Sequence, residues 1–191
     1  MSIRYRTLAP ASGDTDNQIL GKILQQLGGG TLDGVGVVGF AAVDVLGASE
    51  FTRPGDTAAY QIGDVVGTNP GTLLSFSVPR TPGFICSVRV TKSTVTTASS
   101  SVRLYLFSAA PAAIADNSPF TLLYADRASL IGFVDLLFVT EGVGSDSAVA
   151  ETESLRLPFD LAGGNIYGVL VAEAAYAPGN AEKFYAVLTV E

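Results

Sequence analysis

The chain has no histidine and no tryptophan, and it has a single cysteine among its 191 residues. The absence of histidine excludes His-dependent catalytic triads, His-containing zinc sites and His acid/base pairs. One cysteine, Cys86, allows neither an intrachain disulfide nor a cysteine-rich metal or iron–sulfur site, so the fold does not depend on an oxidising compartment. Because Cys86 lies in an apolar strand pattern, we interpret it as a small buried residue.

Charged residues are also scarce: they make up 15% of the chain, against about 25% in typical soluble domains. A low charge fraction fits a surface that other subunits partly cover. The 18 acidic and 11 basic side chains give a formal net charge of −7, which disfavours contact with nucleic-acid phosphates. Since Lys and Arg are spread thinly, we expect no nucleic-acid partner and no membrane partner.

Long hydrophobic runs are missing as well. The most apolar stretch, residues 34–47, contains Asp44 and is shorter than the roughly 20 residues that a membrane-spanning helix needs. Residues 1–13 lack the apolar core of a signal peptide. We therefore expect the chain to be made and folded in a cytoplasm.

The N-terminal part has its own pattern. Residues 1–13 are predicted to form an extended arm that carries Arg4 and Arg6. Residues 15–27 are predicted to form a helix, because a capping-box pattern opens the segment and glycines follow it. One face of this helix is apolar and consists of Ile19, Leu20, Ile23, Leu24 and Leu27. A helix of about three turns is marginal alone in water, so this face has to pack against the chain's own body or against another subunit.

From about residue 36 onward, apolar and polar residues alternate with a period of two, which indicates half-buried strands. The alternation is clearest in residues 84–91, 102–107 and 184–190. In the first of these segments, one face is predicted to hold Phe84, Cys86, Val88 and Val90. Turn signals separate further strand candidates, which are residues 37–46, 58–66, 72–78, 128–138, 155–160 and 166–175. Residues 109–118 and 140–154 are predicted to be longer loops.

Eight or nine strands with a single helix predict an all-β fold. We expect a β-sandwich, of which the jelly roll is one form, with one short N-terminal helix on an extended arm. Residues 1–33 would form the arm and the helix, and residues 34–191 would form the β-sandwich domain. The strand order is not readable from the pattern.

A glycine-rich motif and an oxygen-rich motif each suggest a ligand, but the sequence around each does not fit the binding site it suggests. Gly34, Gly36 and Gly39 fit the G-x-G-x-x-G fingerprint, yet a glycine-rich linker precedes them and a strand pattern follows, so a dinucleotide would meet no helix N-terminus. Residues 144–147 offer oxygen ligands without the spacing of a calcium loop. We predict no metal and no cofactor.

Acidic residues raise the hypothesis of a glycosidase, since two facing carboxylates suffice for that chemistry. Nothing in the sequence spacing pairs the candidates, which are Asp135, Glu141, Glu151, Glu153 and Glu173. Most are expected to be solvated surface acids. Glu173 lies in the apolar run 169–176 and is expected to point outward or to meet an arginine at an interface. We predict no catalytic residues and no enzymatic activity.

Two regions of the chain resemble small structural proteins of tailed phages. The first is residues 16–28, which resemble the short helical segment that often opens virion accessory proteins. The second comprises residues 51–67, beginning Phe51-Thr52-Arg53-Pro54, together with Ala115-Asp116-Asn117-Ser118 and Leu157-Pro158-Phe159. It is similar to a phage virion β-sandwich family over residues 50–191. Such proteins include capsid cement or decoration proteins, head fibres and tail components.

The resemblance implies a homo-oligomer, often a trimer, that is fixed to the major capsid protein at the capsid surface of a virion. Arg4 and Arg6 would pair with acidic capsid residues, and the apolar helix face would be buried against the shell. We predict a capsid cement or decoration protein that stabilises contacts between capsid subunits. Two alternatives stay open: a head-fibre or tail component, and a carbohydrate-binding module for a cell-surface glycan. The absence of tryptophan weakens the second of these, although seven tyrosines remain.

Overall fold

The structure is a computed structural model that describes residues 44–46, 49–79, 82–97, 100–161 and 164–191. All of these residues belong to one compact unit, residues 41–191. The predicted arm and helix and the glycines of the G-x-G-x-x-G pattern lie outside the described residues.

The described residues form twelve strands and one 3₁₀ helix, Tyr124–Ala128. In chain order, the strands are β1 (Asp44–Val45), β2 (Ser49–Thr52), β3 (Val65–Val66), β4 (Leu74–Ser77), β5 (Gly83–Lys92), β6 (Ser101–Phe107), β7 (Leu130–Leu137), β8 (Val139–Thr140), β9 (Ala148–Thr152), β10 (Leu157–Phe159), β11 (Asn165–Ala172) and β12 (Lys183–Val190).

The strands form two antiparallel sheets. In the first sheet, β12 and β5 are the central strands and pair with each other. Strands β1 and β2 pair with successive parts of β12. Strands β10 and β9 pair with successive parts of β5. The short strand β8 extends this sheet beyond β9. In the second sheet, β11 and β6 are central; β3 and β4 share one side of β11, and β7 pairs with β6.

The pairing order is that of a jelly roll. When the successive pieces β1/β2, β3/β4 and β9/β10 are each counted as one strand and the short β8 is left out, eight strands remain. The first pairs with the last, the second with the seventh, the third with the sixth and the fourth with the fifth. This order results when one long antiparallel hairpin is rolled up, which gives two sheets that face each other. The predicted all-β sandwich is therefore confirmed, and its form is the jelly roll.

The core lies between the two sheets and follows the period-two pattern. Val102, Leu104 and Leu106 of β6 are fully buried, as are Phe184 and Leu188 of β12. Each fully buried aliphatic side chain contributes about 1.5–3 kcal/mol relative to an exposed one. The predicted strands 102–107 and 184–190 are confirmed.

The predicted face of β5 is wrong at its first residues. Ile85 is fully buried together with Val88, whereas Phe84 and Cys86 are half-buried. The register between β5 and β12 shifts between Thr189 and Val190, and one additional residue in a strand moves the side chains before it to the opposite face. Cys86 is therefore not the buried core residue that its pattern predicts.

Some predicted boundaries are also wrong. Within the predicted strand 58–66 only Val65–Val66 is a strand, and the predicted loop 140–154 contains β9. The buried residues of β9 are the small Ala148 and Ala150, which give a weak alternation signal. Of the predicted strand 37–46, the described part is β1 and Leu46.

A long irregular segment, residues 109–123, packs over the outer face of the second sheet, and we call it the covering segment. Its side chains Ile114, Phe120 and Leu122 contact a second apolar cluster that consists of Val65, Phe107, Val169 and Val171. The rings of Phe120 and Tyr105 lie 4.5 Å apart. Strand β11 is buried on both faces as a result, and so its sequence reads as a continuous apolar run.

Candidate functional site

The outer face of the first sheet carries no covering segment among the described residues, and we call it the open face. Strand register places its side chains in rows. Tyr185 of β12 lies opposite Thr91 of β5, and Val187 of β12 lies opposite Arg89. Val45 of β1 lies opposite Thr189. A shallow groove of about 380 Å³ runs between these rows.

The groove combines exposed apolar side chains with one central ion pair. Val45 is 69% exposed and Tyr185 is 46% exposed. Arg89 Nη2 lies 3.0 Å from Glu151 Oε2. Hydrogen bonding to Glu151, and the further charges of Glu141 and Glu153, raise the pKa of Arg89 above its ordinary value. One guanidinium therefore lies near three carboxylates on a surface that also carries β-branched and aromatic residues.

A larger cleft of about 770 Å³ lies at one end of the same face. Phe84 of β5 and Pro158 of β10 are cross-strand neighbours there, and the guanidinium of Arg156 lies 4.7 Å from the centre of the Phe84 ring. Gly83 allows the close approach, because a Cβ at this position would be 2.7 Å from Phe159 Cζ. The cleft is mostly apolar, whereas six of the nine residues that line the groove are polar or charged.

Two ion pairs lie inside the protein rather than on the open face. In the first, the buried Arg53 donates from Nη2 to Asp116 Oδ2 at 3.0 Å and from Nε to the Tyr60 hydroxyl. The Tyr60 hydroxyl donates to Asp116 Oδ1, which also accepts the backbone N–H of Gly67 at 2.9 Å. Burial and the adjacent Asp116 carboxylate raise the pKa of Tyr60. This group, which we call the clamp, ties the covering segment to the loop that follows β2.

The second interior pair joins Lys92, at the end of β5, to Glu182, which precedes β12. Lys92 Nζ lies 3.4 Å from Glu182 Oε1, and neither side chain is exposed. The rings of Phe138 and Tyr176 each lie 5.2 Å from Nζ. Burial lowers the pKa of Lys92, and Glu182 opposes that shift only in part.

Three of the acidic residues singled out in the sequence pair with arginines. Asp135 lies 2.6 Å and Glu173 lies 3.4 Å from the Nε of Arg103, so one guanidinium is shared by both carboxylates. Glu173 thus meets an arginine within its own chain. Glu151 pairs with Arg89, and Glu141 lines the groove.

The predicted partner-binding residues Arg4, Arg6, Ile19, Leu20, Ile23, Leu24 and Leu27 lie outside the described residues, and they stay a prediction. Sequence reasoning missed Tyr185 and Arg89, although the alternation of β12 and β5 places both on the face opposite the core. In each sheet, side chains alternate between the core face and the outer face in the same way. The local sequence therefore does not distinguish the outer face that a segment covers from the outer face that stays open.

The oxygen-rich turn of residues 144–147 is closed by its own hydrogen bonds, in which Ser145 Oγ bonds to the backbone of Ser147. Among the described residues, no group of three or more Cys, Asp or Glu side chains is arranged to hold a metal ion. No helix in the described part of the chain is long and apolar enough to cross a membrane.

Comparison with known proteins gives little further information. No protein-family model matches the chain, and no curated protein matches it. One similar solved structure is described as "Cyanophage Pam1 capsid asymmetric unit"; the match covers 94% of this chain and 98% of that chain, with 14% identity and a TM-score of 0.36. A likeness of this size carries no weight in the proposals that follow.

Proposed function

We propose that this chain is a non-enzymatic structural protein of a tailed-phage virion. More specifically, we propose a cement or decoration protein that binds the major capsid protein at the outer surface of the shell and stabilises contacts between capsid subunits. The sequence resemblance to phage virion β-sandwich proteins and the jelly-roll fold support this proposal. The acids that pair with Arg89 and Arg103 support a structural role over a hydrolytic one.

The open face is the observation that carries the proposal. A sheet face that no described segment covers, with exposed Val45 and Tyr185, is typical of a surface that a protein partner covers. Its central Arg89–Glu151 pair would set orientation more than affinity, because an exposed ion pair contributes about 0–1 kcal/mol.

The proposal includes a homotrimer in which each subunit contacts the shell weakly. Three linked contacts give avidity without any single strong one. The N-terminal arm with Arg4 and Arg6, and the apolar face from Ile19 to Leu27, would supply additional anchors. Light scattering on the full-length chain measures the oligomer directly, and a stable trimer is the expected result.

The binding proposal is tested with phage particles that lack this protein. We expect the purified wild-type chain to co-sediment with such particles and Tyr185→Asp to lose most of this binding. Phe133→Asp is the matched control, because Phe133 is 49% exposed on the outer face of the other sheet. Wild-type chain that stays in the supernatant contradicts a cement role. Equal binding of wild-type protein and Tyr185→Asp contradicts the assignment of the open face.

The N-terminal anchors need a separate variant. Deletion of residues 1–30 is expected to abolish particle binding while circular dichroism still reports a folded β-domain. Unchanged binding of the truncated chain contradicts the anchor hypothesis. In electron micrographs of labelled particles, label on the head supports a cement protein and label on the tail or on fibres supports the related structural roles.

A carbohydrate-binding module is the second candidate. Tyr185 exposes its ring in a groove beside Thr91, Arg89 and Glu151, and sugar-binding sites combine an aromatic face with polar groups that fix orientation. A glycan array with the full-length chain tests this candidate. A consistent hit that Tyr185→Ala removes favours a binding module, whereas an array without hits favours the structural role.

A further inference from the structure

Lys92 and Glu182 are held together by the strands that carry them. Lys92 is the last residue of β5, Glu182 directly precedes β12, and the two strands are hydrogen-bonded neighbours with Lys92 opposite Phe184. Next to the pair, Ser93 N–H donates to the Lys183 carbonyl at 3.0 Å, and Lys183 N–H donates to Ser93 Oγ at 2.9 Å. The amine and the carboxyl are therefore fixed against each other, which favours a reaction between them.

The hydrogen bonds around the pair are incomplete for an ion pair. Lys92 Nζ donates to the Thr96 carbonyl, and the Thr94 hydroxyl donates to Glu182 Oε1. Glu182 Oε2 is buried and has no hydrogen-bond partner among the described residues. A buried carboxylate oxygen without a donor is costly, and the two aromatic rings beside Nζ, whose faces attract a cation, donate no hydrogen bond to that oxygen.

We propose that Lys92 and Glu182 are joined by an internal amide bond that forms by condensation after folding. Within the pair, one proton passes from the Lys92 ammonium to Glu182 Oε2, and the resulting amine Nζ attacks Cδ, which forms the Nζ–Cδ bond. A proton passes from Nζ to the Oε2 hydroxyl, the Cδ–Oε2 bond breaks, and one water leaves. The lowered pKa of Lys92 increases the fraction of nucleophilic amine.

The product accounts for the hydrogen bonds that the ion pair leaves unmatched. The single remaining Nζ–H keeps its bond to the Thr96 carbonyl, and Oε1, now an amide oxygen, keeps the hydrogen bond from Thr94. Oε2, the oxygen without a donor, is the atom that departs. Both buried charges disappear, which removes the desolvation cost of each.

The clamp shows why only one of the two interior pairs is a candidate. Arg53 and Asp116 are buried to a similar degree, but the Tyr60 hydroxyl, the Arg53 guanidinium and the Gly67 N–H satisfy both oxygens of Asp116. A guanidinium stays protonated and is a poor nucleophile. The clamp is therefore expected to remain an ion pair.

Intact mass spectrometry of the denatured full-length chain tests the proposal, which does not depend on the proposed function. After allowance for removal of Met1, we expect a mass one water lower than the sequence mass, and we expect protease digestion to release the peptides containing Lys92 and Glu182 as one joined species. The full sequence mass, in fresh protein and in protein held warm for several days at neutral pH, overturns the proposal.

Two lysine variants assign the bond. Lys92→Met is expected to show its full sequence mass, and Lys183→Met, which alters the neighbouring exposed lysine, is expected to keep the deficit of one water. A deficit that persists in Lys92→Met places the lost water elsewhere and overturns the assignment. Because the deciding measurement is made on the wild-type chain, an unstable variant does not affect the test.

Discussion

The outer faces of the two sheets differ, although the sheets share one core. The covering segment packs Ile114, Phe120 and Leu122 against the second sheet, whereas Val45 and Tyr185 of the first sheet are exposed to solvent. Apolar groups are present on both faces, so composition alone does not explain the difference. What differs is that a described segment of the chain covers one face, whereas no described segment covers the other.

The cover stays in place because its polar groups are matched inside the protein. Asp116 of the covering segment reaches Arg53 and Tyr60 in the clamp. Gly71 permits close contact with the same segment, since a Cβ there would lie 2.2 Å from the Ile114 carbonyl oxygen. The comparison teaches that the covered face has a buried polar attachment in addition to its apolar contacts.

Loss of the clamp, which holds the covered face, is expected to cause the largest decrease in the free energy of unfolding. Asp116→Ala removes the 3.0 Å partner of the buried Arg53 and leaves it the half-exposed Asp56 at 3.5 Å, and we expect the free energy of unfolding to fall by about 3 kcal/mol. Urea unfolding measures the change. Asp135→Ala, which breaks the exposed pair with Arg103, is the control and is expected to cost about 1 kcal/mol or less. Equal effects of the two variants contradict the role of the clamp.

Alkaline pH is expected to destabilise the same region. Burial raises the pKa of Tyr60 and of Tyr176, so folding favours their neutral form. This stability is fully present below the unfolded pKa of about 10 and falls above it, by about 1.4 kcal/mol for each tyrosine at about pH 11. Tyrosinate absorbance is the measurement. These two rings are expected to ionise only when the chain unfolds, and their ionisation in the folded protein contradicts the prediction.

A smaller effect is expected from the apolar contact beneath the cover. Phe120→Ala removes a half-buried ring that stacks on Tyr105, and we expect a loss of about 2 kcal/mol in the free energy of unfolding. Phe133→Ala, on the exposed part of the same sheet, is the control and is expected to change stability by much less. Thermal or urea unfolding of the two variants compares them. A larger loss for Phe133→Ala would show that the cover contributes little.

The smallest effect on stability is expected on the open face, where function is expected to change most. Tyr185→Ala is expected to change the free energy of unfolding by less than about 0.5 kcal/mol. In the particle-binding assay, the same variant is expected to weaken binding about tenfold or more, as the loss of an interface tyrosine does. A large loss in the free energy of unfolding without a change in particle binding would show that Tyr185 serves the fold and not partner binding.

Much of the fold was predictable from local pattern. The alternation in residues 102–107 and 184–190 identifies strands β6 and β12, since a period of two follows from the pleat of a strand. The bulge in β5 and the short strand β9 were not predictable, because a one-residue register shift and a strand with alanines on its buried face leave almost no periodic signal. The predicted anchor residues lie outside the described part of the chain.

The sequence by itself determined that the protein is an all-β sandwich without histidine chemistry, because backbone sterics and hydrophobic periodicity act between near neighbours. Tertiary structure alone decided which charged residues are buried and which sheet face is open. Arg53 meets Asp116, which lies 63 residues further along the chain, and Lys92 meets Glu182 only because β5 and β12 are neighbours in the sheet. Charged residues usually read as exposed, so pairings of this kind become visible only when distant strands are brought together.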